Sequence, residues 1–181
     1  MARPAPLLAL ASLLAAAAPL LAAGDISREE ALAGAYPGAS IRAERIFLTA
    51  EQQQRAAERA GVEVPSALVA RYVASQDGRV VGRAYVDTHV VRTKKESLLV
   101  SLDAGGRVKR VDVTAFLEPG EYEAPEPWLR QYRERALDGD LAVNRAIRPI
   151  AGATLTARAA NAAVRRVLAI DGVLRESGSA R

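Results

Sequence analysis

The chain has 181 residues, with 25 Lys and Arg against 21 Asp and Glu, a formal charge of +4, half of its residues apolar and a quarter charged. That is the composition of one globular domain rather than a disordered segment, and the interspersed signs leave no basic footprint for nucleic acid. The absence of Cys excludes disulfides, thiolate metal sites, Fe–S clusters and Cys nucleophiles, and a single His, His89, excludes sites that need two imidazoles.

Residues 1–23 (MARPAPLLALASLLAAAAPLLAA) carry Arg3 as their only charge and end on small residues. This fits a secretory signal cleaved near Ala23–Gly24. The alternative is an uncleaved anchor, because Ala5 to Ala23 is close to the roughly 20 residues that span a bilayer, although Pro6 and Pro19 interrupt it. Both readings place the rest of the chain in the periplasm or another extracytoplasmic space.

Ser27-Arg28-Glu29-Glu30 is a capping box for a short helix, followed by a turn at Tyr36-Pro37-Gly38. Ile41 to Leu48 is strand-like. Thr49 and Gln52 form a second capping box, opening a polar helix that Gly61 ends. Residues 24–67 are thus read as a largely helical N-terminal extension. Leu68 to Ser75 is a strand, Asp77-Gly78 a hairpin turn, and Val80 to Val91 a long strand with Gly82 marking a bulge. Ser97 to Asp103 and Val108 to Leu117 follow, joined by Ala104-Gly105-Gly106-Arg107. In the second, Asp112 and Thr114 alternate with apolar residues and predict one wet face. A loop from Leu117 to Tyr122 leads to a predicted helix over Pro125 to Leu137, with Trp128, Leu129 and Tyr132 on its core face. The final helix starts at Thr154 or Thr156 and runs to about Ile170, leaving 171–181 as a flexible tail. Local hairpins rather than alternating βα units predict an α+β single domain, a mainly antiparallel twisted sheet flanked by helices.

Ile150-Ala151-Gly152-Ala153-Thr154-Leu155-Thr156 feeds straight into that last helix. Gly152 and Ala153 leave backbone amides uncovered, the helix start adds unpaired N–H groups and a positive partial charge, and Thr154 and Thr156 add hydroxyls. Arg148 and Arg158 add fixed positive charge, so the corner suits a phosphate. From spacing alone, a plain helix start capped by Thr is the commoner meaning of so short a motif.

The same residues resemble the C-terminal signature of the FMN-binding domain family, found in the flavin-carrying subunits of sodium-pumping NADH:quinone oxidoreductase and the Rnf complex. There the motif runs Asp-x-x-Ser/Thr-Gly-Ala-Thr, and a flavin transferase esterifies the last Thr with the phosphate of FMN; by position that residue is Thr154. Gly106-Arg107-Val108, Phe116 to Tyr122 with its Glu118-Pro119 pair, and Trp128 to Tyr132 are similar to the family's strand, Glu-Pro loop and helix, so residues 68–170 are the part that resembles it. The chain departs from the motif at Arg148, where the family has Asp, and at Ala151, where it has Ser or Thr.

The resemblance implies an exported electron carrier rather than an enzyme in its own right. FMN would be held by Arg148, Gly152, Ala153, Thr154, Leu155 and Thr156, with Glu118 at the cofactor edge. Its partners would be the transferase and membrane or periplasmic redox proteins. The alternatives are non-covalent FMN binding or reductase activity at the same corner, and a cofactor-free exported interaction module of the same fold. Read from the residues alone, His89 is a hydrogen-bonded strand histidine, Trp128 a core residue, and Arg92, Lys94 and Lys95 a solvated strand end.

Overall fold

The computed structural model describes residues 26–179; the 1–23 leader read from the sequence lies outside them. In chain order the elements are α1 (Arg28–Ala35), β1 (Ser40–Phe47), α2 (Ala50–Ala60), β2 (Leu68–Gln76), β3 (Arg79–Val90), β4 (Lys95–Asp103), β5 (Val108–Phe116), α3 (Glu126–Leu129) and α4 (Thr154–Ser179). Single 3-10 turns lie at Gly120–Tyr122 and Arg130–Tyr132. The five strands form one antiparallel sheet in the order β1-β2-β3-β4-β5, each paired with its neighbour in the chain. The fold is α+β, as the hairpin pattern predicts. Residues 24–67 are more than an extension: β1 pairs with β2 from Ser40 opposite Ser75 to Phe47 opposite Leu68, and α2 packs against α4.

Local chemistry accounts for the element ends. Ser27 and Thr49 both form complete capping boxes, with Glu30 and Gln52 reaching back to the cap amides. Gly61 closes α2 in the left-handed conformation. Asp77 and Gly78 take φ of +51° and +74° in the two-residue β2–β3 turn. Beyond it the register slips, Ala74 facing Gly82 and Ser75 facing Val80, so Val81 is the bulged residue. Gly82 is needed there for space: a Cβ would run into the Tyr36 ring and the Leu102 carbonyl. The Tyr36 hydroxyl lies 2.8 Å from the carbonyl oxygens of Arg83 and Leu102, which ties the end of α1 to the sheet.

The main core lies between one face of the sheet and α4. Tyr85, Leu98, Val100 and Leu102 meet an α4 stripe of Ala157, Ala160, Ala163, Val164 and Val167, whose small members let the helix approach closely. At this interface Asp171 accepts from Arg83 Nε at 2.5 Å and from the Tyr85 hydroxyl at 2.8 Å, while Arg166 holds Asp87 with both arms at 2.7 and 2.9 Å. On the other face, α1 packs on Ala74, Ala84 and Leu99.

Three expectations need correction. First, α4 does not fray after Ile170 but continues to Ser179, because Val173 is buried, Arg55 and Arg59 both bind Glu176, and Gln52 bonds Ser177. Second, helix over Pro125 to Leu137 is limited to α3 and one 3-10 turn. Glu134 turns to φ +63°, and residues 134–135 exchange backbone hydrogen bonds with Val108 at the free edge of β5. Third, Asp112 is only 5% exposed: it lies opposite Leu99, on the face covered by α1, and pairs with Arg110.

His89 is hydrogen-bonded as expected, and the bonds are ionic. Nδ1 lies 2.9 Å from Asp87 and Nε2 2.9 Å from Glu96, which is fully buried. Burial works against the charged imidazole, but its bonds to Asp87 and Glu96 outweigh this and raise its pKa to about 9. Burial likewise opposes ionised Asp87, yet Arg166 and His89 hold its pKa down to about 2.

Two outcomes are expected. Gly82→Ala destabilises the fold by about 1–3 kcal/mol in urea denaturation, because neither Tyr36 nor the β4 backbone has room to yield. The His89 contribution to stability is complete below its ordinary pKa of 6.5 and is lost as pH rises through about 9. Denaturation midpoints across that window fall for the native chain, and the fall flattens in His89→Asn.

Candidate functional site

The approach to α4 is an extended segment seated on α3. The Arg148 carbonyl accepts from Trp128 Nε1 at 2.6 Å, and the Arg148 amide donates to Gln131 Oε1 at 2.9 Å. Trp128 is core, as expected, and its indole nitrogen is what fixes this segment. The chain then turns through Gly152, at φ +78°. A Cβ there would meet open space, so the requirement for glycine is conformational. The Ala153 amide closes the turn onto the Ile150 carbonyl, and the Ala153 carbonyl accepts the first helical bond from Ala157. The amides of Thr154, Leu155 and Thr156 form the first helical turn, where no intrahelical acceptor exists.

These residues line a cleft of about 320 Å³. Its other walls are Val91 and Arg92, at the β3–β4 turn, and Glu118 and Tyr122, in the loop after β5. The volume is near the lower end of the roughly 300–1,000 Å³ usual for ligand pockets.

Of the residues singled out in the sequence, Gly152, Ala153, Thr154, Leu155, Thr156 and Glu118 come together here. Arg148 does not line the cleft; its backbone positions the corner and its side chain is exposed. Glu118 has a structural task at the rim. Its Oε1 accepts from the amides of Thr93 and Lys94, both at 2.7 Å, and of Arg92 at 3.2 Å, and these bonds hold its carboxyl below the usual range. It thereby staples the β3–β4 turn to the loop after β5.

The two threonines differ sharply. Thr156 is buried, and its hydroxyl donates to the Tyr122 carbonyl at 2.7 Å, fastening the loop to α4. Thr154 is exposed, and among the described residues its hydroxyl has no protein partner. Leu155 is half exposed beside it, and Ala151 brings no hydroxyl to the turn.

Sequence reading misses Arg92 and Tyr122 as cleft residues. Arg92 reads as a solvated strand end, and nothing local connects it to residues sixty positions away. The side chains that tie them to the corner are Glu118, directly ahead of a Pro-Gly turn and bonded to the Arg92 amide, and Thr156, bonded to the Tyr122 carbonyl. Compared with known proteins, the chain gives no significant match to a family model, a curated protein or a solved structure.

The division of labour between the threonines is testable by thermal or urea unfolding. Thr156→Val leaves the Tyr122 carbonyl without its donor and destabilises the fold by about 1–2 kcal/mol. Thr154→Val stays within about 0.5 kcal/mol of the parent, as an exposed change with no partner to lose.

Proposed function

We propose that the chain is an exported flavoprotein electron carrier that binds FMN in this cleft and holds it through a phosphoester at Thr154. The observation that carries the reading is the contrast within one helical turn: the Thr156 hydroxyl is used internally, whereas that of Thr154 is exposed and uncommitted beside uncovered amides. Together with the motif resemblance, this favours Thr154 as the acceptor.

The residues present suit the phosphate end of such a ligand. The first-turn amides of α4 and the turn at Gly152 supply donors, the aligned helix dipole supplies positive potential, and Arg92 supplies a full charge from the opposite wall. Leu155 and Val91 provide apolar surface at the same cleft. When bound, FMN would supply the redox chemistry, and the protein its position and electrostatics. In attachment from a flavin dinucleotide donor, the Thr154 oxygen bonds to the FMN phosphorus as the pyrophosphate P–O bond breaks, and the nucleoside monophosphate leaves with the hydroxyl proton, so the chain gains FMN less water. A tethered cofactor is not lost by dilution outside the cytoplasm, which suits the exported setting inferred from the leader. In this reading a flavin transferase installs the group, and membrane or periplasmic redox proteins exchange electrons with it.

Coexpression with an active flavin transferase in an export-competent host, followed by intact-mass analysis, tests the assignment. The native chain gains the mass of FMN less water, and Thr154→Ala does not. Flavin that copurifies but is released on denaturation establishes reversible binding in its place. A folded chain that takes up no FMN overturns the flavin assignment and supports the cofactor-free interaction module.

A further inference from the structure

We infer that the outer edge of β1 is the surface through which two copies of this chain associate, their β1 strands pairing antiparallel about a two-fold axis at Ala43. β1 is an end strand of the sheet, with β2 on one side and no strand on the other. The Leu48 amide donates to the Ala67 carbonyl at 2.9 Å, so Leu48 and Ala67 form a hydrogen-bonded pair at the end of the β1–β2 ladder. Bonded and non-bonded pairs alternate along an antiparallel ladder. In the register that runs from Ser40 opposite Ser75 to Phe47 opposite Leu68, the non-bonded members of β1 are therefore Ile41, Ala43, Arg45 and Phe47. Their N–H and C=O groups point away from β2, and among the described residues no hydrogen bond reaches them from beyond the sheet.

The edge is open: all four of these residues are exposed, and β1 runs without a bulge against β2. Such an edge is ordinarily blunted by charge, a bulge or a covering segment. Here the order of the charges selects a partner instead. Arg42 and Glu44 lie on the same face as Ile46, which packs on the main core, and Arg42 leans along its own strand to Glu44, which Arg71 also holds. Two antiparallel self-pairings overlap most of the strand. The one centred on Glu44 sets its carboxylate directly against its own copy, a repulsive cross-strand pair. The one centred on Ala43 sets Arg42 opposite Glu44 of the second copy and Glu44 opposite that copy's Arg42. Registers centred on Arg42 or Arg45 overlap less of the strand and oppose like charges at the axis.

The other face of the strand agrees with the Ala43 register. It places Phe47 diagonally across from Ile41 of the second copy at both ends of the interface, a separation that an aromatic side chain spans. Phe47 is 74% exposed, more than any other large apolar residue of the described chain, and Ile41 is 38% exposed. Ala43 itself puts no bulk at the axis. Backbone hydrogen bonds then supply the attraction, the crossed Arg42 and Glu44 pairs fix the register, and the two-fold closes the contact at a dimer. The occupant is a second copy because the strand carries its own charge complement when reversed. No β1 residue lines the α4 cleft, so the inference does not depend on a bound flavin.

The test is sedimentation velocity of the exported chain over a concentration series, with amide hydrogen exchange on the same samples. The expected result is a dimer that forms with concentration and protects the amides of Ile41, Ala43 and Arg45 as it does so. Arg42→Glu sets acids against each other across the interface and weakens association about tenfold or more. Ala43→Pro removes the amide at the axis and abolishes the dimer; that amide points away from β2, and urea unfolding checks that both variants stay folded. Since the chain has no Cys, single introduced thiols report the register. Ala43→Cys links two copies on mild oxidation, because paired strands bring that position within disulfide range of its own copy, whereas Phe47→Cys, far from its own copy, does not. A chain that stays monomeric at millimolar concentration, a dimer that Arg42→Glu leaves intact, or linking through Phe47→Cys but not Ala43→Cys would each overturn the proposal. So would a monomer whose edge amides are protected only by a copurifying protein, which assigns the edge to another partner. Thr154→Ala dimerises as the native chain does, which keeps failure here distinct from failure of the flavin assignment.

Discussion

The seating of α4 on the sheet is the constraint from which the other features follow. Its alanine stripe brings the helix close to Tyr85, Leu98 and Val100, and two buried ion pairs, Arg83–Asp171 and Arg166–Asp87, fix its position along β3. Removing one member of such a pair leaves an uncompensated buried charge, which costs about 3–5 kcal/mol. The ion pairs therefore set where the helix lies, while the apolar stripe supplies most of the attraction. Since the cleft is formed by the first turn of this helix, the site inherits its geometry from contacts made three and more turns away.

A charge-balanced chain continues from that anchor toward the cleft. Arg166, Asp87, His89 and Glu96 carry alternating charge in sequence of contact, and protonated His89 makes their sum zero. Just past the end of β3, two residues on from His89, Val91 lines the cleft. A neutral His89 would leave a net negative charge between sheet and helix, so its raised pKa and the seating of α4 have one electrostatic cause.

The cleft itself is assembled by polar staples between segments far apart in sequence. Glu118 grips the β3–β4 turn, Thr156 grips the loop after β5, and Trp128 grips the segment that leads into Gly152. Each uses a buried or semi-buried group to satisfy backbone that regular structure leaves unpaired. Among the described residues, what remains uncommitted at the cleft is the hydroxyl of Thr154, the first-turn amides beside it and the guanidinium of Arg92.

The sequence by itself determined everything governed by neighbours in the chain. Both capping boxes, the Gly61 stop, the Asp77-Gly78 turn and the consecutive hairpins from β2 to β5 depend on contacts within short stretches of chain, and the Gly152-to-Thr156 corner was legible for the same reason. Tertiary structure alone decided what depends on distant partners. Residues 171–179 stay helical because α2 binds Glu176, and Asp112 is buried because α1 covers its face. Residues 134–135 leave the helical path because the edge of β5 offers them hydrogen bonds. Arg92 and Tyr122 join the cleft, and Arg148 stays out of it, through staples that span from seventeen to thirty-four positions. Propensity and periodicity are properties of a short stretch of chain, whereas burial and hydrogen-bond satisfaction are set by whatever the folded sheet brings against it.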